Sequence, residues 1–275
     1  MKKSLQGRRI ALFESRLAEE LAQMVRRSGG VPVCAPALRE ERRPAAREVA
    51  GLLDWVARED CPVFVFSTGV GATALFEEAR ALGREDEIRG AILRGLAVCR
   101  GPKPVAVLHR EGMPSQMKAQ PPYTTEELLG VLVQLDLRLR AVVLVHHGEP
   151  NAPLVEALHR QGARVHELLL YEWALPADAG PLVRMVGEIA AGSFAAAAFT
   201  SQIQARHLVH VAESLGKRDE LLQALRERTL VAAVGPTCAR ALAELGVPPD
   251  IVPETPKMGA MLCALVERLS AGEAR

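Results

Sequence analysis

Short polar runs of the kind that hold anions recur along this chain. Ser67-Thr68-Gly69-Val70-Gly71 follows an apolar run and opens a helix, so its small hydroxyls and free backbone N–H groups aim beyond the strand end. Thr200-Ser201-Gln202 is its counterpart in the second half of the chain. Arg100-Gly101-Pro102-Lys103 matches Gly235-Pro236-Thr237-Cys238 in the same way, and Glu14-Ser15-Arg16 matches His147-Gly148-Glu149. Such turns bind carboxylates or phosphates because a helix N-terminus leaves N–H groups without partners and carries the positive end of the helix dipole. Taken singly, Ser, Thr and Gly are simply good helix caps. Their recurrence in both halves points to a polyanion held between two lobes.

Other chemistries fit less well. Gly69-Val70-Gly71-Ala72-Thr73-Ala74 has the form of a dinucleotide fingerprint, but the next strand ends in Arg100 rather than an acidic residue, and the related Thr200–Ala205 turn has no glycine. His146 and His147 fall on opposite faces of a strand with no carboxylate or cysteine cluster beside them, so no metal site is expected. Cys238 lies in the first turn of a helix without an adjacent His or basic partner and reads as a small packed residue. No G-x-S-x-G, P-loop or H-E-x-x-H run occurs.

A formal net charge of +1 gives no global field to recruit nucleic acid or a membrane, so anion recognition must be local. The start MKKSLQGRRIALFESR is interrupted by charge too soon for a signal peptide, and no apolar run reaches membrane-spanning length. The five cysteines are odd in number and widely spaced, which suggests reduced thiols and a cytoplasmic protein. Nothing demands more than a monomer.

These turns need strands and helices to position them, and the chain supplies the same set twice. At a shift of 133 residues Arg27, Gly29, Phe66 and Gly83 meet Arg160, Gly162, Phe199 and Gly216. At 134, Gly101, Pro102, Gly112 and Pro122 meet Gly235, Pro236, Gly246 and Pro256. Glycines and prolines in register mark shared backbone geometry. Strands are expected at 10–13, 31–35, 62–66 and 95–99, and again at 142–145, 164–173, 194–199 and 229–234. A helix is expected at 17–27, with others beginning near Val70, Lys103, Thr124, Asn151, Gln202, Thr237 and Lys257. This alternation predicts an α/β protein with two parallel-sheet lobes.

Two proline-bearing segments, Val31–Leu38 and Val165–Pro176, are longer than a buried strand needs and suit a two-stranded connector. Val165–Pro176 reads as one long strand that brings Tyr171, one of two tyrosines, to the mouth of a cleft. If both segments cross, residues 1–36 and 173–275 form one discontinuous lobe and 37–172 an inserted one, with connectors near 33–39 and 168–175. Two sequential lobes split near residue 138 remain the alternative.

Phe199-Thr200-Ser201, Val231-Ala232-Ala233-Val234-Gly235-Pro236-Thr237, Leu245-Gly246-Val247, Pro253 and the stretch from Leu144 to Tyr171 together resemble the uroporphyrinogen-III synthase family in order and spacing, over nearly the whole chain. The resemblance implies two flavodoxin-like lobes joined by a two-stranded β connector, with the discontinuous arrangement. It implies dehydrating cyclisation of hydroxymethylbilane to uroporphyrinogen III, with inversion of the last ring and no cofactor. The implied substrate is a small linear tetrapyrrole with eight carboxylates, which the turns at Arg16, Ser67–Gly69, Gly101, Gly148, Thr200–Gln202 and Gly235–Thr237 would contact. The family's functional tyrosine falls on Tyr171, a phenol protonated at neutral pH and able to assist departure of the substrate hydroxyl. Two positions depart from the family pattern. Glu14-Ser15-Arg16 stands where Thr-Arg-Pro is usual, and Cys238 where a second threonine is common. They keep open a second reading, a synthase-like tetrapyrrole-binding or regulatory module without turnover.

Overall fold

A computed structural model describes residues 4–271; Met1 to Lys3 and Gly272 to Arg275, the outer ends of the expected discontinuous lobe, lie outside the described residues. In chain order the elements are β1 (Arg9–Leu12), α1 (Ala18–Arg27), β2 (Val31–Cys34), β3 (Arg39–Arg42), α2 (Ala46–Val56), β4 (Val63–Phe66), α3 (Gly69–Ala81), α4 (Glu85–Arg94), β5 (Leu96–Cys99), α5 (Pro102–Arg110), β6 (Met117–Lys118) and α6 (Thr125–Leu132). There follow β7 (Ala141–Val145), α7 (Ala152–Arg160), β8 (Arg164–Leu168), β9 (Tyr171–Ala174), α8 (Gly180–Ala190), β10 (Ala196–Phe199), α9 (Gln202–Ser214), α10 (Arg218–Glu227), β11 (Leu230–Ala233), α11 (Pro236–Glu244) and α12 (Met258–Ser270). Among the described residues no helix is long and apolar enough to cross a membrane.

The chain divides into two compact units, one running to Arg39 and resuming at Ala174, the other from Glu40 to Trp173. In the first, a four-stranded parallel sheet has the order β11-β10-β1-β2, with Ile10 opposite Ala196 and Leu12 opposite Cys34. Successive side chains on a strand point to opposite faces, so each sheet feeds two cores. Ala11 and Phe13 pack with Phe199 against α8 to α11, and Phe13 stacks on Phe199 at 4.6 Å. Ile10 and Leu12 face the other way, onto Leu21 and Val25 of α1 and Leu265 of α12. Acidic Glu19 and Glu20 in the first turn of α1 and basic Arg26 and Arg27 in its last complement the helix dipole.

In the second unit the order is β6-β5-β4-β7-β8, all parallel, and Phe66 at the end of β4 lies opposite both Cys99 and Val145. β4 and β7 are buried at every position, as central strands covered on both faces must be. Phe64 and Phe66 meet Leu52 of α2, Leu75 of α3 and Ile92 of α4, while Val63 and Val65 meet Leu128 of α6 and Leu154 of α7. Burying each such ring or branched side chain contributes about 1.5–3 kcal/mol. Both sheets pair strands far apart in the chain, since β1 pairs with β10 and β4 with β7.

β3 and β9 form a separate two-stranded sheet. The expected single strand over Val165–Pro176 is therefore two strands. β8 ends at Leu168 opposite Val145, and Leu170 O then accepts the Arg43 N–H at 3.2 Å as the backbone changes partners. Leu168 and Leu170 both stay buried through the switch. The proline-bearing run 31–38 is likewise not the paired crossing. Its first four residues are β2, and the strand that pairs with β9 is Arg39-Glu40-Glu41-Arg42. That run is charged and mostly exposed, so it carries no apolar alternation by which a strand could be recognised.

Candidate functional site

At the carboxyl end of the Glu40–Trp173 sheet, the turn after β4 is built by its caps. Thr68 is extended, with φ −146°, and its Oγ1 accepts the Gly71 N–H at 3.0 Å, a cap worth about 1 kcal/mol. Gly71 must be small, because an added Cβ would stand 2.8 Å from Val145 Cγ1. A Cβ added at Gly69 would stand 3.1 Å from Lys103 O, so this turn lies close against the start of α5. Ser67 is 4% exposed; its N–H donates to Val145 O at 3.1 Å, and its hydroxyl has no protein partner among the described residues.

The tyrosine expected at the mouth of a cleft is instead 1% exposed. Tyr171 meets Trp173 edge-on at 5.4 Å, and its hydroxyl lies 3.0 Å from Thr68 Oγ1. Trp173 Nε1 donates to His147 O at 2.9 Å, and Gly148, at φ +80°, leaves space that any Cβ would take from the indole. Tyr171, Trp173, the 147–148 loop and Thr68 are therefore one packed group. Thr68 Oγ1 accepts from Gly71 N–H and can accept from Tyr171, which leaves its own proton to donate outward.

Arg100 joins this group from the end of β5. Its N–H continues the ladder to Phe66 O at 3.0 Å, and its guanidinium, partly buried, has no carboxylate partner among the described residues. Burial pushes its pKa below the usual arginine value, offset by its interaction with the Tyr171 phenol. Gly101 follows, buried, with the ring of the second tyrosine, Tyr123, 3.4 Å from where a Cβ would be. Tyr123 has φ +63°, a left-handed conformation costing about 1–3 kcal/mol in a side chain of this size.

His146 serves structure. Its Nδ1 accepts the Asn151 N–H at 3.3 Å, so Nε2 carries the proton toward Glu167 at 2.8 Å, and Asn151 in turn caps α7. Among the described residues no group of three or more His, Cys, Asp or Glu side chains could hold a metal.

The other unit presents its own turns at its own sheet end. Ser201 caps α9 by accepting the Ile203 N–H at 3.2 Å. Thr200 is bonded within the protein on both sides: its N–H donates to Gln204 Oε1 at 2.8 Å, and its hydroxyl donates to Glu14. Gln202 is half-buried and Arg16 exposed. Gly235 is fully extended, at φ 179°, and a Cβ there would stand 2.8 Å from Pro256 Cβ. Packing against Pro256 by itself therefore asks for a small residue at this position. Pro236 is exposed, Thr237 half-buried, and Cys238 is 3% exposed with its thiol pushed up to about 12 by burial, a packed residue as its surroundings in sequence implied.

The structure thus gathers Ser67, Thr68, Gly69, Gly101, Gly148 and Tyr171 in one unit and Arg16, Thr200–Gln202 and Gly235–Thr237 in the other. Sequence reasoning did not single out Trp173, Tyr123 and Gln204, and it placed Arg100 only as the opening of a strand-end turn. Arg100 carried the one usable signal, a cation at a strand end beside anion-binding glycines.

The family model described as "Uroporphyrinogen-III synthase HemD" matches residues 19–263. A Bacillus subtilis (strain 168) protein described as uncharacterized protein YjjA is 32% identical over 267 residues, which is 97% of this chain and 98% of that one. A crystal structure of a mutant uroporphyrinogen III synthase from the extremely thermophilic bacterium Thermus thermophilus is similar at TM-score 0.77 and 28% identity, over 96% of this chain and 100% of that chain. The uroporphyrinogen-III synthetase of Helicobacter pylori 26695 shares the fold at TM-score 0.53 and 17% identity, over 94% of this chain and 99% of that one.

Proposed function

Because the chain belongs to the uroporphyrinogen-III synthase family, we propose that it catalyses the dehydrating cyclisation of hydroxymethylbilane to uroporphyrinogen III with inversion of the last ring. The observation that carries the reading is the Tyr171–Thr68 hydroxyl pair beside the Arg100 guanidinium, which has no carboxylate partner among the described residues. Departure of the substrate hydroxyl requires a proton. Thr68 Oγ1 gives its proton to the leaving oxygen, which departs as water, and takes the Tyr171 proton in exchange; the Arg100 cation stabilises the phenolate left behind. The N-terminus of α3 and the Ser67 hydroxyl supply neutral donors for substrate carboxylates without a global positive field. The reading needs no cofactor, nucleic acid or membrane, and a single chain in the cytoplasm suffices for it.

One observation favours a second reading. Glu14 occupies donors at the end of the other sheet, which suits a tetrapyrrole-binding or regulatory module that does not turn over. Incubation with enzymically made hydroxymethylbilane separates the two. Uroporphyrinogen III in excess over the spontaneous I isomer is the expected product; the I isomer alone, with binding retained, establishes the second reading.

A further inference from the structure

Glu14 follows β1, and its carboxylate is held from four directions. Oε1 accepts the N–H groups of Arg16 at 3.2 Å and Leu17 at 3.3 Å, just ahead of α1. Oε2 accepts the Thr200 hydroxyl and Gln204 Nε2, the latter at 3.1 Å. Gln204 is 1% exposed and fixed by two further bonds to Thr200, from its N–H at 2.8 Å and to its Oγ1 at 2.8 Å. Backbone N–H groups, a hydroxyl and an amide are the donors that seat a bound carboxylate elsewhere in proteins. In the Glu40–Trp173 unit the residues 133 positions earlier are Ser67 for Thr200 and Gly71 for Gln204, and the Ser67 hydroxyl has no protein partner among the described residues.

We propose that Glu14 is a resident carboxylate that fills this seat and thereby sets the protein's specificity, excluding a ligand acid from the β1–β10 corner. The inference rests on the reading that the strand-end turns of this chain receive ligand carboxylates. Two carboxylates cannot share one set of donors without strong mutual repulsion, so ligand acids are directed to other turns. The protein consequently discriminates among carboxylate-rich tetrapyrroles by where their acids lie, and the charge of Glu14 lowers its affinity for the most highly charged of them.

The test uses the full chain, with acetate as the first probe. Glu14→Ala leaves the four donors facing an open seat. Acetate is expected to raise its melting temperature saturably, by about 3 °C or more, while chloride at equal ionic strength does not, and acetate leaves the parent unchanged. No acetate-specific rise in the variant, or an equal rise in the parent, overturns the proposal. Glu14→Gln, which keeps the side-chain volume, provides a second measurement if the alanine variant does not fold. Uroporphyrin, an octacarboxylate, is expected to bind it about tenfold more tightly than the parent by fluorescence titration, and coproporphyrin, with half the acids, to gain less. Equal or weaker uroporphyrin binding overturns the proposal. Uroporphyrin binding to neither protein overturns the functional reading instead, and acetate on Glu14→Ala then decides Glu14 by itself.

Discussion

The hydroxyls of Tyr171 and Thr68 lie 3.0 Å apart, and Thr68 Oγ1 also accepts the N–H of Gly71 at 3.0 Å, so the phenol is tied to the first turn of a helix. Replacement of Tyr171 by phenylalanine keeps the edge-on contact with Trp173 and removes the hydrogen bond to Thr68, itself worth about 0.5–1.5 kcal/mol of stability. Turnover should fall far more, by about 10²–10⁴-fold, because the proton source is gone. Thr68→Val should lose turnover on a similar scale, whereas a simple packing role for Tyr171 predicts parental kcat and isomer purity in Tyr171→Phe.

Arg100 carries a second prediction, with opposite signs for activity and stability. Burial lowers its pKa in the folded protein, so the charged form is disfavoured by folding. A base whose folded pKa lies below its unfolded value costs stability at every pH where the unfolded chain stays protonated, which includes neutrality. Arg100→Met should therefore melt at the parental temperature or above it. Its kcat should drop by about tenfold or more with little change in KM, since the cation acts on charge that develops during reaction. A fall in melting temperature with unchanged kcat would make Arg100 a structural residue.

Glu85 links stability to acid pH. Hydrogen bonds from Arg80 at 2.6 Å and Arg89 at 2.8 Å hold its carboxyl down at about 2, against an ordinary 4.5. A depressed carboxyl contributes stability above its unfolded pKa and loses it as pH falls through the folded one. Glu85→Gln should melt below the parent at pH 7, and the gap should close between pH 4.5 and about 2. A gap that is constant over that range would mean that packing, and not charge, is what the substitution removes.

The thiols give a check on the cores. Cys99 and Cys238 are buried, with burial pushing them up to about 11 and about 12. Cys34, Cys61 and Cys263 are exposed, and partial burial raises the Cys34 thiol. Titration with an aromatic disulfide at mild alkaline pH should count three reactive thiols in the native protein, Cys34 the slowest, and five after unfolding. Native reaction of Cys238 would contradict its place beneath Phe199 O, to which its thiol donates at 3.6 Å.

Much of the fold was legible because two parallel sheets covered on both faces leave strong local marks. Val63-Phe64-Val65-Phe66 and Ala141–Val145 are continuous apolar runs, and each is followed by polar cap residues that start a helix close to where the sequence places it. α3 begins at Gly69 and α9 at Gln202, against expected starts near Val70 and at Gln202. The four-residue strand Arg39–Arg42 was not legible, because a two-stranded ribbon exposed to water needs no apolar face.

By itself the sequence determined the element types, the strand-end turns and the residue types available at each, since these follow from local periodicity and from the backbone demands of Gly, Pro, Ser and Thr. Tertiary structure alone decided which of those residues act together. Thr68 and Tyr171 are 103 positions apart and Glu14 and Gln204 are 190 apart, so only the pairing of distant strands brings their side chains into contact. Desolvation of Arg100, sealing of Tyr171 behind Trp173 and occupation of the Thr200 hydroxyl by Glu14 all depend on what lies across a sheet or turn. Hydrogen bonding and burial act over a few ångströms of space, and no spacing along the chain reports that distance.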